Sequence, residues 1–140
     1  MMPIFSVTRF RVRKLRYVPL FLFLANRTMS QIRKAPGYID GAIGRDADFA
    51  FWTMSVWQTE KQMIEYVTSG AHRKAMPRLR DWAIEASFIR WEQDGSTLPT
   101  WREAEERMRN DGRSSKLRYP GAGHAGLTYA NSPKVFSSRI

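Results

Sequence analysis

Hydrophobic and polar positions alternate along "IFSVTRFRVRKL" (4–15), a stretch rich in β-branched and aromatic residues, and this period of two predicts a strand. Thr8, Phe10 and Val12 fall on one face, with Arg9, Arg11 and Arg13 on the other. The period then lengthens. Pro19 suits the first turn of a helix, where its missing N–H has no intrahelical role, and a helix over 20–35 gathers Phe21, Ala25, Thr28, Met29 and Ile32 on one side. "APG" (35–37) ends it. A weaker strand over 38–45 contains two glycines, which predicts an edge or a bulge. After the turn "RDAD" (45–48), "FAFWTMSVW" (49–57) is the clearest strand, with Ala50, Trp52, Met54 and Val56 on one face and Phe51, Thr53, Ser55 and Trp57 on the other.

"TEKQ" (59–62) has the form of a capping box, in which Thr59 and Gln62 satisfy free N–H groups at a helix start. The helix it opens runs to about Ser69, with Met63, Tyr66 and Val67 inward and Gly70 as its stop. A second helical stretch covers 71–84, and "EASFIRWEQDG" (85–95) is a last strand closed by a turn. The order β-α-β-β-α-β, with its second helix broken in two, predicts an α+β, ferredoxin-like fold: an antiparallel four-stranded sheet with helices on one face. Arg9, Arg11, Thr53, Ser55 and Trp57 would share the other face. That face is too apolar in part to stay bare, so a second copy of the chain is expected to cover it as a homodimer. "TLPTWREAEERMRNDG" (97–112) predicts an appended helix with Thr100 and Glu103 as its capping box and Trp101, Ala104 and Met108 on one side. From Arg113 the chain is rich in Gly, Ser and Pro. The expected organisation is a ferredoxin-like domain over 1–95, a helix over 96–112 and a flexible basic tail over 113–140.

Charge refines this picture. Residues 1–39 carry eight Lys/Arg and no acid, residues 40–111 are close to neutral, and residues 112–140 carry five Lys/Arg and no acid. Basic ends favour anionic partners in general. The Arg9, Arg11, Arg13 row could track phosphates, but strand arginines more often pair with acids on neighbouring strands or across a dimer, and no nucleic-acid-binding motif is present. Nucleic acid is therefore not the expected partner. "RKLRYVPLFLFLANR" (13–27) looks at first like a secretory leader, yet its apolar run from Val18 to Ala25 contains a proline and falls far short of the roughly 20 residues a bilayer span needs. It is read as a helix start, not a membrane span. The chain has no cysteine, which excludes disulfides and thiolate chemistry and fits a cytoplasmic setting.

One of the two histidines, His72, lies in "SGAHRKAMPRLRDW" (69–82). At 100° per residue, Ala75, Met76, Leu79, Trp82 and Ala83 fall within about 80° of it, so His72 sits in an apolar stripe. It is either a core side chain bonded to a carbonyl or to Glu85, or a pocket residue acting as base, donor or axial ligand to iron. No second histidine in the folded part could complete a protein-only metal site. No phosphate loop or catalytic-triad ordering is visible.

Over "FWTMSVWQTEKQMIEYVTSGAHRKAMPRLRDWAIEASFIRW" (51–91) the chain resembles the dimeric α+β barrel superfamily, which includes antibiotic-biosynthesis, haem-degrading and spheroidene monooxygenases. It is most similar to a bacterial family of unknown function that is itself similar to spheroidene monooxygenase. The strand ending in Val56-Trp57, "SGAHRKAMPRL" and "EASFIRW" carry the likeness. The haem-degrading branch uses an Asn, a Trp and a His where this chain has Thr8 (or Arg9), Tyr66 and Met76, and all three depart from that pattern. His72 lies one turn earlier on the same helix face.

The resemblance implies a monooxygenase-like oxidoreductase. A small apolar or aromatic compound would sit between sheet and helices in a pocket lined by Thr8, Phe10, Trp52, Met54, Tyr66 and Met76, with His72 as the catalytic residue. The cofactor would be none or haem. Two alternatives remain open: a non-catalytic dimer that binds a ligand or partner, and a haem-binding protein with His72 as ligand.

Overall fold

Alternation builds the first strand, β1 (Ile4–Val12), and a 3-10 turn at Leu15–Tyr17 leads into α1 (Val18–Arg33), which carries proline in its first turn. A computed structural model places residues 2–120 and 136–140. The chain continues through β2 (Tyr38–Arg45), β3 (Ala50–Trp57), α2 (Glu60–Val67), α3 (Gly70–Trp82), β4 (Ala83–Glu92) and α4 (Trp101–Asp111), with two short strands, β5 (Arg113–Ser114) and β6 (Phe136–Arg139). The sheet order is β5-β4-β1-β3-β2-β6, and every neighbouring pair is antiparallel. Its four long strands have the ferredoxin-like order expected from the sequence, and β5 and β6 extend them to six.

The second half of the chain departs from expectation in two ways. Residues after 112 contribute β5 and β6, so at these places the presumed tail is sheet; the flexible reading of 121–135 lies outside the described residues. With β6 at its side β2 is not an edge, although its glycine-bearing strand does shift register between Tyr38 and Asp40.

The larger correction concerns the faces of β3. Thr8 stands opposite Thr53 and Ser6 opposite Ser55, so these four residues share the helix-covered face with Phe10, Phe51 and Trp57. Trp52 and Met54 point the other way. They pack with Val7, Ala42 and Ile89 beneath Ala104 and Met108 of α4, with Trp101 alongside. The apolar face expected to meet a second subunit is thus covered by the chain's own appended helix.

That helix is held at its start by the Thr100 hydroxyl, which accepts the Glu103 N–H at 3.1 Å. Thr100→Ala should cost about 1 kcal/mol. Because α4 covers the core of the sheet, the loss should appear in global urea unfolding, and Thr100→Ser should recover most of it.

On the α4 side Arg9 is buried, and its Nε donates to Asp46 Oδ2 at 3.3 Å while Nη1 donates to Glu85 Oε1. Arg11 also pairs with Glu85, at 3.7 Å. These strand arginines meet acids, as the sequence reading favoured over phosphate tracking, and the acids are those of the same chain rather than of a partner across a dimer. Asp46 is an anchor in its own right. Its Oδ1 accepts the Asp48 and Ala50 N–H groups and its Oδ2 accepts the Trp52 indole N–H, all at 2.9 Å.

Candidate functional site

Between the sheet and helices α1 to α3 lies a cavity of about 150 Å³. Four hydroxyls from the paired strands, Ser6, Thr8, Thr53 and Ser55, form its polar floor. Phe10, Phe21, Phe51 and Trp57 supply aromatic walls, and α1 adds Leu24, Ala25 and Met29. Ser55 accepts the Trp57 indole N–H at 2.9 Å, whereas Ser6, Thr8 and Thr53 make no side-chain hydrogen bond among the described residues. Thr8 sits on a central strand, yet it is exposed, so the cavity opens to solvent over β1. A ligand entering there meets unengaged hydroxyls beneath and aromatic rings around it.

The helical wall carries Thr28, Tyr66 and His72. The Tyr66 hydroxyl donates to the Thr28 carbonyl at 3.2 Å, and burial raises its pKa above the usual value of 10.0, so the phenol stays neutral. His72 is half-buried, and its ring lies 5.1 Å from that of Tyr66. Its Nδ1 is 3.0 Å from the Val67 carbonyl oxygen. A carbonyl can only accept, so Nδ1 carries the proton and Nε2 is left with a basic lone pair. Burial lowers the His72 pKa below 6.5; the Val67 contact opposes this and the Arg90 charge adds to it. The imidazole is therefore neutral at pH 7.

The break between α2 and α3 sets the position of His72. Gln31 on α1 donates from Nε2 to the Tyr66 and Ser69 carbonyls at 3.2 and 2.9 Å, and its Oε1 accepts the His72 N–H at 2.9 Å. Gly70, at φ +56, turns the chain here, where a Cβ would come within 3.1 Å of the Gln31 amide.

Of the residues expected from sequence, Thr8, Phe10, Tyr66 and His72 do meet at one cavity. Trp52 and Met54 do not: they lie across the sheet under α4. Met76 is exposed on the outer side of α3, because Ala75 and Leu79 take the inward positions. Ser6, Thr53 and Ser55 were missed as site residues. Their signal is the cross-strand pairing of hydroxyls, which becomes visible once β1 and β3 are set in register. The cavity also bears on haem. A porphyrin joins four pyrrole rings and exceeds the enclosed space of about 150 Å³, so haem with His72 as axial ligand would have to extend through the open side over β1.

Comparison with known proteins places this geometry. The sequence profile of a family described as "Domain of unknown function (DUF3291)" matches residues 25–136. The chain belongs to the DUF3291 family. No curated protein matches the chain. Among solved structures it is similar to SnoaB, a cofactor-independent oxygenase from Streptomyces nogalater, at 18% identity and a TM-score of 0.57 over 71% of this chain and 99% of that one. It is also similar to Rv0793 from Mycobacterium tuberculosis, at 10% identity and a TM-score of 0.61 over 69% and 99% of the two chains. A third is a candidate antibiotic biosynthesis monooxygenase from Nitrosomonas europaea, at 17% identity and a TM-score of 0.55 over 70% and 92%. At such identities the likeness establishes a monooxygenase-like fold. The DUF3291 match takes in Thr53, Ser55, Tyr66 and His72 and begins after Ser6, Thr8 and Phe10 of β1.

Proposed function

We propose that this DUF3291 chain is a monooxygenase-like enzyme that oxidises a one-ring aromatic compound bearing a polar substituent and an acidic C–H. One observation carries the reading: an aromatic-walled cavity of single-ring size holds free hydroxyls on one side and a neutral histidine on the other. The ring would pack against Phe10, Phe21, Phe51 and Trp57, and its polar group would engage Ser6, Thr8 or Thr53. His72 Nε2 would take the C–H proton. The resulting carbanion would react with dioxygen, one oxygen atom entering the substrate as a carbonyl and the other leaving as water. A methylene oxidised in this way needs no outside reductant. Likeness to a cofactor-independent oxygenase fold supports this choice over a reaction driven by a bound redox group. A homodimer would have to form away from the α4-covered sheet face.

The test is a titration of the protein with one-, two- and three-ring phenols, read by tryptophan fluorescence and by oxygen uptake. Saturable binding should be confined to the one-ring compounds. Ala25→Phe puts a ring into the cavity and should weaken binding by about tenfold or more while the fold is kept. Binding with no oxygen uptake for any bound compound would favour the non-catalytic ligand-binding alternative. Absence of binding throughout the panel would overturn the proposal.

A further inference from the structure

The stretch "RKLRYVPLFLFLANR" (13–27) remains unexplained by the cavity, which uses only its inward residues Phe21, Leu24 and Ala25. Its other large apolar side chains face out. Leu15 is 71% exposed, Phe23 59%, Leu20 51% and Leu22 43%, all within one turn and the first half of α1. Lone exposed leucines are ordinary, but four such residues so close together form a patch.

The charged side chains beside that patch are mainly cationic. Lys14 and Arg16 flank Leu15, both exposed, and the Arg27 guanidinium lies 5.9 Å from the Phe23 ring centroid. No acid occurs anywhere in residues 1–39. The neighbouring α3, which packs on α1, adds exposed Arg73, Lys74, Arg78 and Arg80. Its single acid, Asp81, is paired with Arg118 at 3.5 Å.

We propose that the outer face of α1, with the turn before it, docks on an anionic phospholipid bilayer. Cations alone would suit any polyanion, nucleic acid included. Leucine and phenylalanine set among those cations call for a partner that offers phosphates at one depth and hydrocarbon just below it, which is the layout of a bilayer interface. The docking is peripheral, since no helix among the described residues is long and apolar enough to cross a membrane. The inner face of the docked helix lines the cavity, so an apolar compound dissolved in the bilayer would be held beside the site. The docking itself does not depend on the proposed chemistry.

Co-sedimentation of the full chain with vesicles tests this directly. Vesicles of phosphatidylcholine with phosphatidylglycerol should pellet the protein at low salt and release it at high salt, and phosphatidylcholine alone should not hold it. The double variant Leu20→Ser/Phe23→Ser should lose about tenfold or more in partitioning. Arg16→Glu/Arg27→Glu should lose a similar amount. Both pairs are exposed, so the melting temperature should stay at the wild-type value. No binding to the anionic vesicles would overturn the proposal. So would binding that the apolar variant leaves undiminished, because charge alone would then suffice.

Discussion

Replacing Asp46 by alanine should lower the stability of the chain by about 3–5 kcal/mol, the largest single loss expected outside the hydrophobic core. The carboxylate is fully buried and does three things at once. It faces the buried Arg9 guanidinium, accepts the Trp52 indole N–H, and accepts two backbone N–H groups of the β2–β3 turn. Removing it strips donors that cannot reach water and withdraws one of the two carboxylates set against Arg9, with Glu85 remaining. The turn it braces also holds Phe49 at φ 64, a conformation a non-glycine residue adopts at a cost. Asp46→Asn should lose less, because an amide oxygen can still accept from the turn while no longer countering the charge. Urea unfolding with an unchanged m-value would measure both losses. A loss below about 1 kcal/mol for alanine would mean that the turn relaxes to let water in.

Asp46 also shows where the sequence was silent. Arg9 could be assigned from alternation to the side away from the helices, and pairing with acids on neighbouring strands or across a dimer was the favoured reading. Nothing local marked an aspartate of the β2–β3 turn, 37 residues distant, as one of its partners. Element order, both threonine caps and the inward face of α1 were legible because each rests on short-range spacing. The orientation of β3 was not. Both its faces are buried, so alternation separates Trp52 and Met54 from Thr53 and Ser55 but does not say which pair meets the helices. Placing the more apolar pair inward was the natural choice. It failed because α4 supplies a second apolar layer on the far side, leaving the hydroxyl-bearing face for the cavity. Met76 failed for a related reason: a stripe on a helical wheel is wider than the strip that a neighbouring sheet covers.

His72→Ala should reduce turnover by about 10²–10⁴-fold if the imidazole is the base of the proposed reaction, while binding of one-ring compounds changes far less. Two features of the site make this a sharp test. The Nδ1 contact to the Val67 carbonyl fixes the ring's tautomer, the Gln31 amide holds the His72 backbone N–H, and burial favours the uncharged form. The pH dependence follows with a definite sign. As a base His72 acts only when unprotonated, so kcat/KM should rise with pH through a pKa below 6.5 and level off above it.

Stability should move in the same direction. Between the folded pKa and the unfolded value near 6.5, the unfolded chain binds more protons. The stabilisation present above pH 6.5 is therefore lost as the pH falls through the folded pKa. Melting temperatures from pH 8 down to pH 5 should show this loss in the wild type, with a smaller one in His72→Gln. A purely structural histidine predicts the thermal effect without the kinetic one. If turnover of His72→Ala matched wild type while its acid limb of stability vanished, His72 would be a positioning element of the α2–α3 break, and the base would have to be sought elsewhere on the cavity wall.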